Sequence, residues 1–338
     1  MKPVEWNWLS RHRAPLMGVA MLIVVVFHVG LPRENAFYGL VRCGNLGVDM
    51  FLFLSGIGLW FSWTRRPSLR HFFARRYLRV YPAWLVVAAV FYIQNYLEKG
   101  AAGSYSPDLM QLAANILVGW SFWRVDDLTF WFIPAIMMMY TFAPFYMRLI
   151  TRWPSFRYMP VVFMLWAAMV YYWPPAHESV GHVEIFWSRI PIFLLGINCG
   201  ACVSDGQKMD GSALWMLLLV FVMAFWLCLV LEGRWHGRFP LFMERMAYIP
   251  LALSLLFLLC LLFEHSPQWL LRALAFVGGI SLELYLVHIE FVLKKIVPYH
   301  LGFWPNVGLT IAISIPLAWA LHAVLKLLTD RWTGKWRK

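Results

Sequence analysis

Long apolar segments recur along nearly the whole of this 338-residue chain, and few charged residues interrupt them. Hydrophobic residues make up 61% of the sequence and charged residues 14%, whereas a soluble domain carries roughly 25% charged residues. A chain with so few charges cannot cover its surface with groups that water solvates, so lipid must be its solvent. We therefore predict an all-α integral membrane protein that forms a single bundle over residues 1–338.

The apolar segments predict about ten transmembrane helices, because a helix needs roughly 20 apolar residues to cross a bilayer. The first predicted span, Ala14–Leu31, is interpreted as a retained anchor and not a signal peptide, since it contains His28 and many spans follow it. The other predicted spans are residues 46–64, 79–96, 129–150, 158–173, 187–204, 213–231, 247–264, 275–296 and 304–328. The apolar stretch 108–123 is short, so we expect it to be interfacial or re-entrant.

Basic residues dominate the charge, and the formal net charge is +12. Lys and Arg of membrane proteins collect on the cytoplasmic side, so the charge indicates topology, and no nucleic-acid-binding motif accompanies it. If most basic residues lie in the cytoplasm, both termini are cytoplasmic and the number of spans is even. We therefore predict a multi-pass protein of the bacterial inner membrane. The predicted cytoplasmic parts include an N-terminal segment 1–13, a basic loop 65–79 and a C-terminal tail 329–338. The segment around Arg234 runs against the rule.

The five cysteines and ten histidines form no recognisable metal or redox motif. Cys199 and Cys202 form a CxxC inside an apolar run, which favours core-facing thiols over a zinc or redox site. HExxH, Walker, dinucleotide-binding and GxSxG motifs are all missing from the sequence. We therefore expect no metal site, no permanently bound cofactor and no serine-esterase chemistry.

Several polar residues lie within the predicted spans, where lipid makes ionisable groups costly and where such groups usually mark function. The helical rise places His28 roughly 22 Å into a hydrocarbon core about 30 Å thick. Six side chains from five different spans are predicted to share this level in the outer half of the membrane: His28, Asp49, Trp131, Arg189, Tyr285 and His288. The alternative is that each of them only ties two helices together by a hydrogen bond.

A basic segment, RRPSLRHFFARRYLR, follows the second predicted span and contains six arginines. Arg76 and Arg79 are three residues apart, on one face of a helix that begins beneath the membrane. Their guanidinium groups suit a phosphate-bearing ligand. Topology and anionic lipid headgroups explain the same charges, and the residues alone leave both explanations open.

Four segments resemble, in order, the acyltransferase-3 family of membrane acyltransferases. They are the FH that contains His28, GVDMFLFLSG at 47–56, FFARRYLRVYP at 72–82 and SLELYLVH at 281–288. WFIPAIMMMYTFAP at 131–144 and RIPIFLLG at 189–196 are similar to further family segments. The resemblance implies ten spans and the transfer of an acyl group, most often acetyl from acetyl-CoA, to a hydroxyl of a surface carbohydrate.

The resemblance also implies roles for individual residues. His28 matches the family's catalytic histidine, and Asp49 matches the aspartate of its second-span motif. Arg76 and Arg79 match the arginine pair that is held to bind CoA. The expected donor is therefore a cytoplasmic acyl-CoA that acts as a substrate, and the expected acceptor is a carbohydrate or glycolipid.

Two departures from the family pattern matter. Met17 stands where the family usually has an arginine, and we expect Arg13, one helical turn earlier, to substitute for it. Leu282 replaces a tyrosine that often follows the family's serine, here Ser281, and acidic Glu283 comes next. Ser281 and Glu283 are predicted to belong to the acceptor pocket together with Trp131, Arg189, Tyr285 and His288.

These residues suggest a mechanism. His28 is predicted to act as general base on the acceptor hydroxyl, while Asp49 orients the ring or stabilises its charged form. Tyr285, Trp131 or Arg189 is expected to bind the acceptor or to stabilise the oxyanion. A covalent acyl-histidine intermediate stays open.

Two other classes of function remain at this stage. A transporter or flippase for a lipid-linked sugar or an exopolysaccharide precursor would use His28, Asp49 and Glu290 as proton-relay or substrate-path groups. A membrane scaffold without catalysis would leave the buried polar residues unexplained. Bound CoA or consumption of acetyl-CoA distinguishes the enzyme from both.

Overall fold

A computed structural model describes residues 4–125 and 127–333 of the chain. The α-helices are α1 (Trp8–Arg11), α2 (Arg13–Val29), α3 (Tyr38–Arg42), α4 (Leu46–Arg65), α5 (Leu69–Gly103), α6 (Leu109–Val118), α7 (Trp120–Val125), α8 (Phe132–Arg152), α9 (Met159–Tyr172), α10 (Pro174–Val180), α11 (Glu184–Ser204), α12 (Ser212–Gly233), α13 (Leu241–Phe263), α14 (Gln268–Gly279), α15 (Ser281–Val287), α16 (Lys294–Ile296) and α17 (Phe303–Thr333). Strands β1 (Val4–Glu5) and β2 (Lys208–Met209) pair antiparallel. Short 3-10 turns lie at Cys43–Asn45, Pro154–Tyr158, Gly181–Val183 and Val297–Tyr299, and a π-helical turn at His288–Leu293.

The prediction of an all-α membrane bundle is confirmed. Within the described residues, seven helices are long and apolar enough to cross a membrane, or eight if the bent pair α14 and α15 forms one span. Helices α2 and α9, of 17 and 14 residues, are shorter and coincide with two further predicted spans. The stretch 108–123 holds the ten-residue helix α6, which is too short to cross.

Two predicted boundaries are wrong. The basic segment 65–79 is mostly helical, because α5 begins at Leu69 and leaves only a short connection after α4. Ser68 caps α5 by accepting a hydrogen bond from the backbone N–H of His71 at 3.5 Å, so Arg76 and Arg79 stand on a regular helix. The predicted span 275–296 begins earlier, at Gln268, and bends by 60° where α14 meets α15.

Helices α4 and α11 run parallel and in close contact. A Cβ atom on Gly196 would lie 2.2 Å from the carbonyl oxygen of Phe53, and one on Gly56 would lie 2.5 Å from that of Phe193. Small residues allow such an approach of two helix backbones inside a membrane. The same parallel register brings Asp49, near the start of α4, level with Arg189, near the start of α11.

Contacts between loops define two ends of the bundle. We call the end where α4 ends and α5 begins the basic end, and the other the opposite end. The β1–β2 pair joins the N-terminal segment to the α11–α12 connection at the basic end. Arg148, near the end of α8, lies over the Trp63 ring at 5.0 Å there. At the opposite end, Arg33 donates a hydrogen bond to the carbonyl oxygen of His236 at 2.8 Å.

The segment after α15 widens into a π-helical turn that starts at His288. Such turns interrupt the regular hydrogen bonding of a helix and often occur at functional sites. Here the turn follows directly after the SLELYLVH segment at 281–288. The bend before α15 and the π turn after it set the direction in which the Tyr285 and His288 side chains point.

Candidate functional site

Two histidine rings from distant parts of the chain contact each other inside the bundle. His28, in the last turn of α2, is half-buried, and His288 at the end of α15 is fully buried. Nδ1 of His28 lies 3.1 Å from Nε2 of His288. The prediction that these two residues share one level is therefore confirmed by direct contact.

Backbone carbonyls fix the protons on both rings. Nδ1 of His288 lies 2.8 Å from the carbonyl oxygen of Tyr285, and Nδ1 of His28 lies 2.9 Å from that of Val24. A carbonyl oxygen only accepts, so both Nδ1 atoms carry the proton. His288 Nε2 then accepts from the Nδ1–H of His28, and Nε2 of His28 is left with a free lone pair. That atom is the one able to take a proton from a substrate.

Tyr285 stands one helical turn before His288 and faces the start of α8. Its hydroxyl oxygen accepts a hydrogen bond from the backbone N–H of Phe132 at 3.3 Å. The hydroxyl proton is therefore available for another acceptor. Trp131 precedes α8 as its N-cap, and its ring packs edge-on against Phe132 with centroids 5.9 Å apart. Trp131 therefore contacts Phe132, and Phe132 in turn binds Tyr285.

Asp49 does not orient His28 as predicted; it forms a buried ion pair with Arg189. The guanidinium group also donates to the side-chain oxygen of Asn45 at 2.8 Å. The physical reason is the close parallel packing of α4 and α11, which aligns the two charges where neither can reach water. The carboxylate of Asp49 therefore balances Arg189, and the partner of His28 is His288.

One cavity of about 780 Å³ extends from the basic end of the bundle to Val24 and Tyr285, and neither His28 nor His288 is among the residues that line it. At the basic end, arginine side chains line it: Arg11, Arg13, Arg65, Arg75, Arg76 and Arg79. Farther in, its wall includes Val24 and Tyr285, whose carbonyl groups hold the rings of His28 and His288. Among the described residues that line this cavity, none is an Asp or Glu, so it favours an anionic ligand.

Arg13 and Arg76 meet inside this cavity at Gly58. Arg76 donates to the carbonyl oxygen of Gly58 at 3.0 Å, and a Cβ atom on Gly58 would lie 3.0 Å from the Arg13 guanidinium. Nε of Arg76 is buried without a hydrogen-bond partner. Met17 lines the same wall one turn beyond Arg13. The structure thus brings Arg13 to the place where the sequence predicts a substitute for the missing arginine.

Arg79 lies on the same helix face but is already partnered. It donates to Glu283 at 3.2 Å and to the carbonyl oxygen of Gly279 at 2.9 Å. His322 of α17 contacts the same Glu283 oxygen at 2.8 Å. The assignment of Glu283 to the acceptor pocket is therefore corrected: the bend between α14 and α15 places it beside Arg79 at the basic end. Ser281 lines the cavity close by.

Sequence reasoning missed several residues of this region. Tyr140 and Phe51 line the cavity, Asn45 holds Arg189, and His322 joins the Arg79–Glu283 pair. Asn45 lies four residues before Asp49, so helical spacing alone could have indicated it. No such local signal exists for His322, because its partner is 39 residues away along the chain.

A second polar cluster lies at the opposite end, outside the cavity. Glu232 near the end of α12, His236 in the following loop and Glu244 in the first turn of α13 lie together. Glu232 also binds Arg42 at 3.1 Å and the hydroxyl of Tyr248. The sequence prediction of no metal site did not consider this cluster.

Comparison with known proteins gives one match. A family profile described as "Acyltransferase domain", the acyltransferase-3 profile, matches residues 16–323, which is most of the chain and includes both histidines and all the cavity arginines except Arg11 and Arg13. Comparison with curated proteins and comparison with solved structures each returned no match.

Proposed function

Because this chain belongs to the acyltransferase-3 family and is a multi-pass membrane acyltransferase, we propose that it moves an acyl group, most often acetyl, from acyl-CoA to a hydroxyl of an envelope carbohydrate or glycolipid. The donor enters from the cytoplasm at the basic end, and the acceptor approaches His28 from the opposite end. The observation that carries the proposal is the cavity that joins the arginines to the residues holding the histidine pair.

The arginines of the cavity are suited to the phosphates of CoA. Guanidinium groups bind phosphate through two parallel hydrogen bonds and keep their charge in a low-dielectric site. Arg13 and Arg76 face each other at Gly58, and among the described residues no Asp or Glu pairs with either. Nε of Arg76 has no hydrogen-bond partner within the same part of the chain. A polyanion placed between them relieves their mutual repulsion and satisfies the buried donor.

The inner part of the cavity suits the slender pantetheine arm. Its wall includes Val24, Val48, Phe51, Phe132 and Ile136. The volume of about 780 Å³ lies within the roughly 300–1,000 Å³ of ligand sites in proteins. The thioester would then lie near Tyr285, one turn below the histidine pair.

The proposed transfer step uses the lone pair that the tautomer of His28 leaves on Nε2. Nε2 of His28 takes the proton of the acceptor hydroxyl while the acceptor oxygen attacks the thioester carbonyl carbon. The hydroxyl of Tyr285 donates a hydrogen bond to the developing oxyanion and keeps its proton. Collapse of the tetrahedral intermediate breaks the carbon–sulfur bond, and the proton on His28 passes to the CoA thiolate. His288 Nε2 accepts from the other ring nitrogen throughout and so stabilises the imidazolium.

Acyl transfer is tested with purified protein in lipid nanodiscs, labelled acetyl-CoA and an envelope glycan fraction from the host. We expect label in the glycan, and we expect host glycans to lose an acetyl mass when the gene is deleted. Labelled succinyl-CoA, offered in place of acetyl-CoA, tests which acyl group the protein transfers, and we expect more label in the glycan from acetyl-CoA. Movement of a lipid-linked sugar across the membrane without consumption of any acyl-CoA would overturn the proposal.

A further inference from the structure

We propose that Glu232, His236 and Glu244 form a binding site for one divalent transition-metal cation, with Zn²⁺ as the best fit. One ligand atom from each residue lies within 4.8 Å of the other two. The site is separate from the acyl-CoA cavity, and its existence does not depend on the acyl-transfer reaction.

The distances fit coordination. Nδ1 of His236 lies 3.3 Å from Oε2 of Glu232 and 3.8 Å from Oε1 of Glu244. Ligands that bind Zn²⁺ tetrahedrally at 2.0–2.2 Å stand roughly 3.3–3.6 Å from each other. Small side-chain adjustments therefore bring all three atoms onto one ion. One nitrogen and two carboxylate oxygens are a ligand set that Zn²⁺ accepts, with a fourth position left for water.

The charges also call for a cation. Glu232 and Glu244 are 1% and 3% exposed, so both carboxylates are almost fully removed from water. The guanidinium of Arg42 pairs with Glu232, and that of Arg245 pairs with Glu184. Among the described residues no Lys or Arg forms an ion pair with Glu244. A buried carboxylate without a cation is costly, and a metal ion removes that cost.

Unsatisfied atoms point into the same space. Oε1 of Glu244 is buried and has no hydrogen-bond partner, and Nδ1 of His236 is buried with no polar contact beyond the two carboxylates of the cluster. Native proteins rarely leave such atoms unpaired unless a ligand or water occupies the site. Glu232 stands in the last turn of α12, where the helix dipole disfavours a carboxylate and favours a cation.

The surroundings hold the three residues in place. Arg33 donates to the carbonyl oxygen of His236 at 2.8 Å, which fixes the loop between α12 and α13. The hydroxyl of Tyr248 donates to Glu232. Such outer contacts orient ligands for a metal. An ion here would clamp α12 and α13 together. Through Arg42, which lies 5.2 Å from the centre of the Phe27 ring, it would also steady the segment beside His28.

Metal binding is measured on the full chain in detergent after treatment with EDTA. Titration with ZnCl₂ by calorimetry should show one ion per chain, and the added ion should raise the midpoint of thermal unfolding. Glu244→Gln keeps the shape of the side chain and removes a ligand charge. It should weaken Zn²⁺ binding by more than the roughly 10–100-fold that loss of an outer contact causes.

A histidine and a glutamate that are adjacent in sequence and lie outside the cluster give matched controls. His177 and Glu178 lie exposed in α10, outside the cluster. His177→Ala and Glu178→Gln should bind Zn²⁺ like the wild type, whereas His236→Ala should not. If His236→Ala fails to fold, His236→Asp keeps an oxygen ligand and should shift the preference from Zn²⁺ towards Mn²⁺. Absence of Zn²⁺ and Mn²⁺ binding to the wild type, wild-type binding by Glu244→Gln, or an unchanged preference in His236→Asp would overturn the proposal.

Discussion

Nε2 of His288 lies 3.1 Å from Nδ1 of His28 and accepts a hydrogen bond from the N–H of that nitrogen. The carbonyl oxygens of Val24 and Tyr285 hold one ring each, so the pair has a single arrangement of protons. In the proposed reaction His288 does for His28 what a carboxylate does in many catalytic triads: it fixes the tautomer and stabilises the charged ring. It does this as a neutral group, which suits a site inside a membrane.

The first prediction concerns His288 as a positioning residue. His288→Phe should lower kcat by about 10²–10³-fold, within the range of general acid–base effects, because the His28 ring loses its acceptor. The donor KM should change little, since His288 does not line the cavity. His288→Gln offers a carbonyl oxygen and should recover part of kcat. Equal loss in both variants would mean that His288 only fills space.

The hydroxyl proton of Tyr285 leads to the second prediction. Tyr285→Phe should lower kcat by about 10²-fold, the lower limit for loss of one oxyanion donor, while the donor KM stays near the wild-type value. Tyr146→Phe is the control. The Tyr146 hydroxyl donates a hydrogen bond to Oδ1 of Asn198 at 2.8 Å, and Tyr146 does not line the cavity. Steady-state rates of labelled acetyl transfer give both parameters. A rise in KM without a fall in kcat would assign Tyr285 to binding alone.

The third prediction concerns the arginines of the proposed donor site. Arg76→Gln should raise the KM for acetyl-CoA by about 10–100-fold, because a hydrogen bond to a charged group contributes roughly 1.5–3 kcal/mol. The KM for the acceptor should stay constant. Arg66→Gln removes a nearby exposed arginine that does not line the cavity and serves as the matched control. Equal changes in the two KM values, or equal effects of the two substitutions, would contradict a donor site at Arg76.

The buried pair of Asp49 and Arg189 gives the fourth prediction. Asp49→Asn leaves Arg189 buried without its counter-charge and should destabilise the protein by roughly 3–5 kcal/mol. The double variant Asp49→Leu with Arg189→Met should regain most of this stability, because neither charge is then stranded. Thermal unfolding in detergent measures both.

An exposed ion pair supplies the control for that comparison. Lys208 pairs with Glu5 at 3.3 Å, and the Lys208 side chain is 62% exposed. Lys208→Gln should change stability by less than about 1 kcal/mol. If Asp49→Asn is no more harmful than Lys208→Gln, the ion pair does not join α4 to α11 as we describe.

The positions of the helices could be predicted from the sequence far better than the contacts between their side chains. Nine of the ten predicted spans each overlap one helix, and the tenth, 275–296, covers a bent pair. Lipid requires long apolar helices, and hydropathy detects them directly. The bend at Ile280 was missed, since Gly278 and Gly279 are tolerated in membrane helices and do not by themselves indicate a break. The start of α5 at Leu69 was missed because its first turns are basic and amphipathic rather than apolar.

Pairing of side chains depended on packing that one sequence does not contain. His28 and Asp49 were predicted to act together, yet Asp49 binds Arg189 because Gly56 and Gly196 bring α4 and α11 into contact. Both histidines were predicted at one level, but the hydrogen bond between them depends on the orientation of α15. The Glu232–His236 spacing of four residues was visible in the sequence, whereas Glu244 joins them only through the α12–α13 turn.

Substitution of His28 tests the central claim most directly. His28→Gln keeps a polar side chain of similar reach but has no basic nitrogen, so transfer of labelled acetyl from acetyl-CoA to the glycan fraction should fall by at least about 10²-fold. Binding of acetyl-CoA by the same variant should stay at the wild-type level, because the arginines are untouched. Wild-type transfer by His28→Gln, with normal donor binding, would contradict the account.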